Sequence, residues 1–207
     1  MGKVVAQAMM SLDGYVAKQD NSIGRLFDWL QNGSVELPTP AGDFKVHLAP
    51  ASVEHWQKWS ASIGALVCGR TLFDVTGGWN GRHTLDVPVV VLTHRVPQEW
   101  IAAHPDGPFS FVTDGVEAAI ARAKEVAGDR DVTVSGGTIA RQCLELGLLD
   151  EVAVDLVPVV MGAGNRPFFG ELSAEDVMLG NPTTCIQGDF VTHLAFPVER
   201  SPASRPA

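Results

Sequence analysis

The sequence predicts an α/β fold in three layers: a doubly wound, mostly parallel sheet with helices on both faces and an antiparallel hairpin at the C-terminal end. Three observations predict it. Val87–Thr93 is apolar until its final residue, as in a parallel strand buried on both faces. Asp131–Ser135, the turn Gly136-Gly137, a helix over Thr138–Leu146 stopped by Gly147, and a strand over Glu151–Val157 make a β-turn-α-β unit, which implies a right-handed crossover. Thr183–Gln187 and Phe190–Phe196, joined through Gly188-Asp189, read as a closing antiparallel hairpin.

The other elements follow in order. Val4–Met9 is a β-branched apolar run that enters the turn-forming Ser11-Leu12-Asp13-Gly14, so the chain starts with a buried strand. From Lys18 to Ala51, Gly24, Gly33, Pro38, Pro40, Gly42 and Pro50 break any periodicity, which predicts a long excursion with at most short helical pieces. Ser52 stands at an N-cap position before a helix through Trp59, and Ile63–Cys68 is a buried strand. Pro88 belongs in the first turn of the Val87–Thr93 strand, which is expected to be central. Phe109–Val112 is another strand. Asp114 and Glu117 have capping-box spacing ahead of the stripe Val116, Ala119, Ile120, Ala123 and Ala127, which Gly128 ends. Residues 1–198 form one expected domain and 199–207, with Pro202 and Pro206, a flexible tail.

Composition narrows the classes of function. With 207 residues, 45% hydrophobic and 19% charged, the chain is neither disordered nor collagenous nor a coiled coil. Its net charge of −9 argues against a nucleic-acid or anionic-membrane surface, so an anionic ligand must meet a local basic pocket. No apolar run has the roughly 18 residues of a membrane helix and the N-terminus lacks a signal-peptide pattern, so the expected location is cytoplasmic. Cys68, Cys143 and Cys185 show no C-x-x-C spacing and read as buried apolar residues. The six histidines include no H-x-x-x-H or H-E-x-x-H pair, and no metal is expected.

In an open α/β sheet, ligands bind at the carboxyl ends of the strands. Three strands are followed there by small or hydroxyl residues with a donor: Gly69-Arg70-Thr71, Thr93-His94-Arg95 and Ser135-Gly136-Gly137-Thr138. Glycines opening a helix let its unpaired amides approach a phosphate, and arginines offer it charge-assisted forks. Each segment also has a plain reading, as a tight turn or solvated surface. Together they favour a phosphorylated nucleotide, although neither a G-x-G-x-x-G fingerprint nor a P-loop is present. The cationic, Gly-rich Gly77–His83 is either a substrate rim or a connection anchored by Trp79. Asp28-Trp29 is either a lid that excludes water or loop packing.

Several motifs occur in order: Met10-Ser11-Leu12-Asp13-Gly14-Tyr15, Cys68-Gly69-Arg70 with Phe73-Asp74, Val91-Leu92-Thr93, Ser135-Gly136-Gly137, and Leu148-Leu149-Asp150-Glu151 followed by Pro158–Gly164. On these residues the chain resembles the dihydrofolate-reductase-like family from about Lys3 to Pro197, specifically its riboflavin-biosynthesis reductase branch. The resemblance implies the dihydrofolate reductase-like fold and NADPH as cofactor. It implies that Gly69, Arg70, Thr71, Thr93, His94 and Arg95 hold the 2′-phosphate end and that Ser135, Gly136, Gly137 and Thr138 cradle the pyrophosphate. Asp13 would lie by the nicotinamide and substrate as an anchor or proton relay; its plain reading is a turn residue capping its own backbone. Asp28, Trp29, Trp79, Gly162 and Gly164 would border the substrate.

The chain departs from the family in three places. It reads Gly69-Arg70-Thr71-Leu72-Phe73-Asp74 where many members read Gly-Arg-Arg-Thr-Tyr-Glu. It offers only Asp28, Asp43 and Glu54 near the position of the pterin-gripping acid, and it has no fused deaminase segment with zinc ligands. The expected activity is NADPH-dependent hydride transfer to a small nitrogen heterocycle: a ribosylaminopyrimidine, a pterin or a dihydrofolate-like compound. The alternatives are a nucleotide-binding protein without turnover and a quinone or nitro-compound reductase. A homodimer contacting through the C-terminal hairpin is also expected.

Overall fold

The computed structural model describes residues 2–173 and 176–199, and most of the expected 199–207 tail lies outside them. Eight strands form one sheet in the order β11-β12-β9-β1-β8-β5-β6-β7. These are β1 (Val4–Ser11), β5 (Ile63–Gly69), β6 (Val89–Leu92), β7 (Phe109–Val112), β8 (Asp131–Ser135), β9 (Glu151–Val157), β11 (Thr184–Gly188) and β12 (Val191–Pro197). From β9 to β7 every neighbour is parallel, while β12 runs antiparallel to β9 and to β11. The expected α/β class and closing hairpin are therefore present. Val89–Leu92 is buried as expected but stands next to the edge strand rather than at the centre, which β9, β1 and β8 occupy.

Helices cover both faces, giving three layers. On one face α4 (Val116–Ala127) and α5 (Thr138–Glu145) bury Ala119, Ile120, Ala123, Ile139 and Cys143 against Val4, Ala6, Val67 and Val134. On the other, α1 (Pro50–Ser62) brings Trp56 to a cluster of Leu26, Trp29, Leu30, Val46, Leu48, Val157 and Val191. A third cluster gathers Leu66, Cys68, Phe73, Val89 and Val91 beside α2 (Arg70–Val75) and α3 (Gln98–Ala103). Alternation along β5 explains the division, because Ala65 and Val67 point to one face and Leu66 and Cys68 to the other.

Several local expectations are corrected. The Lys18–Ala51 excursion holds a hairpin of β3 (Val35–Pro38) and β4 (Lys45–Leu48), with β2 (Tyr15–Ala17) before it paired to β10 (Arg166–Pro167). Ser52 is no N-cap: Ala49 holds that place with Pro50 in the first turn, and Ser52 is wholly buried inside the helix. No capping box opens α4; its N-cap is Gly115 at φ +99°, which Asp114 cannot serve from one residue earlier. Cys68 and Cys143 are buried, whereas Cys185 is exposed on edge strand β11.

His83 sits edge-on to Trp79, ring centroids 4.7 Å apart, and its Nδ1 accepts the Leu85 amide at 3.2 Å. Burial pushes its imidazole down to about 4. Between pH 6.5 and that value the unfolded chain binds the proton that the folded chain refuses, so stability falls as the pH is lowered through this window. Denaturant titrations at pH 7 and pH 4 are expected to show a loss of up to about 3 kcal/mol from this residue, absent in His83→Gln.

Candidate functional site

Adjacent parallel strands place the predicted segments side by side. Gly69 pairs with Leu92 and Gln7 with Ser135, so Arg70, Thr93 and Gly136 are the first residues beyond three strand ends of one sheet edge. Arg70 Nη1 donates to the Arg95 carbonyl at 2.8 Å while its Nε donates to Asp74 at 2.7 Å. The Thr93 hydroxyl donates to the same carbonyl at 3.0 Å and accepts the Arg95 amide at 3.2 Å, closing a tight turn. Arg70 thus braces the turn through Nε and Nη1. Exposed Arg95 makes no side-chain hydrogen bond or ion pair among the described residues. His94 and Thr71 are exposed beside them.

The β8–α5 turn joins the same edge, since a Cβ on Gly69 would touch Ile139 of the first turn of α5 at 3.4 Å. A Cβ on Gly136 would come within 3.2 Å of Ala8 and 3.3 Å of Val16, which explains glycine there. Gly137 has φ +103° with open space on its Cβ side, but its N–H already donates to the Phe168 carbonyl at 2.6 Å. The donors that α5 offers an anion are therefore the amides from Thr138 onward, aided by the helix dipole and the Ser135 hydroxyl.

Asp13 binds a distant loop. Its carboxylate accepts the Ser11 hydroxyl at 2.6 Å, the Gly162 amide at 2.7 Å and the Met161 amide at 3.1 Å. The Ser11 hydroxyl, followed by these amides, holds its carboxyl below the ordinary carboxylate range. An ionised group surrounded by donors is an anchor rather than a proton source. The plain reading is enlarged: Asp13 caps another loop's backbone, 149 residues away at Gly162. Asn165 donates back to the Met161 and Gly162 carbonyls, so the turn bearing Gly162 (φ +79°) and Gly164 (φ +84°) is fixed at the mouth of β1.

Of the two readings of Asp28-Trp29, packing describes what Trp29 does. Trp29 is only 3% exposed and packs edge-on to His193 at 5.2 Å, while Asp28 pairs with Arg25 on the surface. Half-buried Trp79 packs on His83, and Gly77–Gly81 is a left-handed turn in which Gly78 is pressed against Phe73 and Trp100. Trp29 shares its cluster with Val159 and Met161 of the segment after β9, and Trp79 packs beside α2.

Sequence spacing missed a buried polar network under α1. Asp155 of β9 lies opposite His193 of β12 in register. The two are joined at 2.6 Å through His193 Nδ1, and His193 Nε2 meets the Ser52 hydroxyl at 2.9 Å. The order resembles a nucleophile triad, but Ser52 has no exposed surface and a Cβ on Gly188 would strike its oxygen. His55 stacks on His193 at 4.3 Å. Beside them opens a cleft of about 630 Å³, bordered by Gln7, His55, Trp59, Thr133 and Asp155. Among the described residues no helix is long and apolar enough to cross a membrane.

The RibD C-terminal domain family matches residues 2–188. The uncharacterized protein YwjB of Bacillus subtilis (strain 168) is 25% identical over 182 residues, covering 84% of this chain and 86% of its own. The crystal structure of a suggested riboflavin biosynthesis protein from Shewanella sp. PV-4 superposes with a TM-score of 0.67 at 20% identity, over 96% of this chain and 99% of that one. The riboflavin biosynthesis reductase Rib7 of Saccharomyces cerevisiae gives a TM-score of 0.59 at 10% identity, over 96% and 90%. These structures share the fold.

Asp13→Asn puts an amide NH₂ where backbone donors point and should loosen the 161–164 turn. Turnover with an accepted substrate is expected to fall by about 10²-fold while the melting temperature hardly moves. Steady-state kinetics beside thermal unfolding check this.

Proposed function

We propose, from the premise that the chain belongs to the RibD C-terminal domain family, that it is an NADPH-dependent reductase acting on a small nitrogen heterocycle. The observation that carries this reading is the meeting of Gly69-Arg70, Thr93–Arg95 and Ser135–Thr138 along neighbouring strand ends, with the Arg70 guanidinium on the Arg95 carbonyl. In a chain of net charge −9 this edge offers a cation, Arg95, with no side-chain hydrogen bond or ion pair among the described residues, a helix N-terminus and glycine-lined space. That combination fits a nucleotide with one phosphate group near Arg95 and another near Ser135–Thr138.

In this reading Arg95, freed by the Arg70 clamp, takes the 2′-phosphate, and Thr71 and His94 flank it. Ser135 and Thr138 hold the pyrophosphate, with Gly136 and Gly137 keeping that wall low. NADPH supplies the hydride. Asp13 keeps the Met161–Gly164 turn in place over the carboxyl ends of β1 and β9, where the heterocycle would lie. The ribosylaminopyrimidine, pterin and dihydrofolate-like classes remain the acceptors to offer. Two copies are proposed to associate through the C-terminal hairpin, whose tip residue Phe190 is 66% exposed.

Arg95→Ala is expected to weaken NADPH by about tenfold or more with little change for NADH, the value of one charge-assisted contact. Gly137→Asp, which sets a carboxylate on the open side of the turn, is expected to weaken both. Tryptophan fluorescence titration reads both variants, and unchanged NADPH affinity in each would remove the cofactor assignment. Light scattering is expected to return a mass twice 22.1 kDa.

A further inference from the structure

On the α1 face of the sheet, two residues before the carboxyl end of β9, three side chains of metal-ligand type converge. His55, Asp155 and His193 each offer an atom within 4.8 Å of the others. Asp155 is 6% exposed, yet among the described residues it accepts one hydrogen bond, from His193. A carboxylate has about four lone-pair sites, and one withdrawn from water with most of them unused seeks a cation. His55, half-buried at the cleft wall, makes no hydrogen bond among the described residues. Asp131 also lines the cleft, with Glu54 paired to Lys58 and Glu151 paired to Lys3.

We propose that His55, Asp155 and His193 bind a divalent transition-metal cation of the zinc class, with a coordination position open to the cleft. Two imidazoles and a carboxylate suit such ions, and three protein ligands leave a place for water or a small ligand. The surrounding residues fit this use. The cation displaces the proton shared between Asp155 and His193 Nδ1, which passes to Nε2 of a neutral ring or, from a doubly protonated ring, to solvent. The neutral imidazole, bound through Nδ1, carries its one ring proton on Nε2 and donates it to Ser52, the outer contact that orients a ligating imidazole. Stacked at an interplanar angle of 27°, His55 does not aim its lone pairs where His193 aims its own, so its ring turns toward Asp155 on uptake. Among its described contacts that turn gives up only the stack.

Cobalt(II) titrated into the whole chain, followed by visible ligand-field absorption and by metal retained after dialysis, tests the site. One saturable equivalent is expected. It should be lost in His55→Ala and weakened roughly 10–100-fold in Ser52→Ala. Circular dichroism and nucleotide binding, which do not depend on half-buried His55, show whether that variant is folded. No saturable uptake by the wild type, or uptake by folded His55→Ala equal to the wild type's, overturns the proposal.

Discussion

The parallel register of six neighbouring strands, β9-β1-β8-β5-β6-β7, is the constraint on which the rest of the molecule depends. Parallel neighbours require each connection to return across a face of the sheet, so every carboxyl end falls on one edge. Residues 11–14, 69–71, 93–95, 135–138 and 158–164 are brought to that edge by backbone hydrogen bonding, without any need to attract one another. Their side chains then refine the arrangement. Arg70 ties its own loop to the next strand's, and Asp13 ties the first loop to the one after β9.

The two faces of this sheet are stabilised differently. Against α4 and α5 the contacts are small and apolar, with Ala119, Ala123 and Ala140 allowing close approach. Under α1 the aromatic cluster lies beside Ser52, His193 and Asp155, which are nearly without exposure. Burying a carboxylate is tolerated because β12 runs antiparallel to β9 and sets His193 directly opposite. Removing one partner of such a pair leaves the other uncompensated, a change that typically costs about 3–5 kcal/mol. The network therefore secures the docking of α1 and the hairpin, and its stacked neighbour His55 extends it to solvent.

Local charge decides what the strand-end edge can recognise. Arg70 and Arg95 look equivalent in sequence, but one neutralises Asp74 and braces a turn while the other faces solvent. Gly136 and Gly137 likewise divide their work. The first is small because a Cβ there would crowd Ala8 and Val16; the second adopts a left-handed angle and gives its amide to Phe168.

By itself the sequence determined the elements whose cause is local. The apolar Val89–Leu92, the α4 stripe from Val116 to Ala127, the β8–α5–β9 unit and the hairpin of β11 and β12 were legible because strand and helix periodicities are written in consecutive residues. The strand-end segments were legible for the same reason, as each is a short run at the end of an identifiable strand. Helices α2 and α3, at six residues each, are too short to display a period. Only the tertiary structure decided which tryptophans are core, which arginine is free, that Ser52 serves His193 rather than its helix end, and that His55, Asp155 and His193 meet. Those outcomes depend on contacts between residues tens to more than a hundred positions apart, set by strand order and register, which no local pattern encodes.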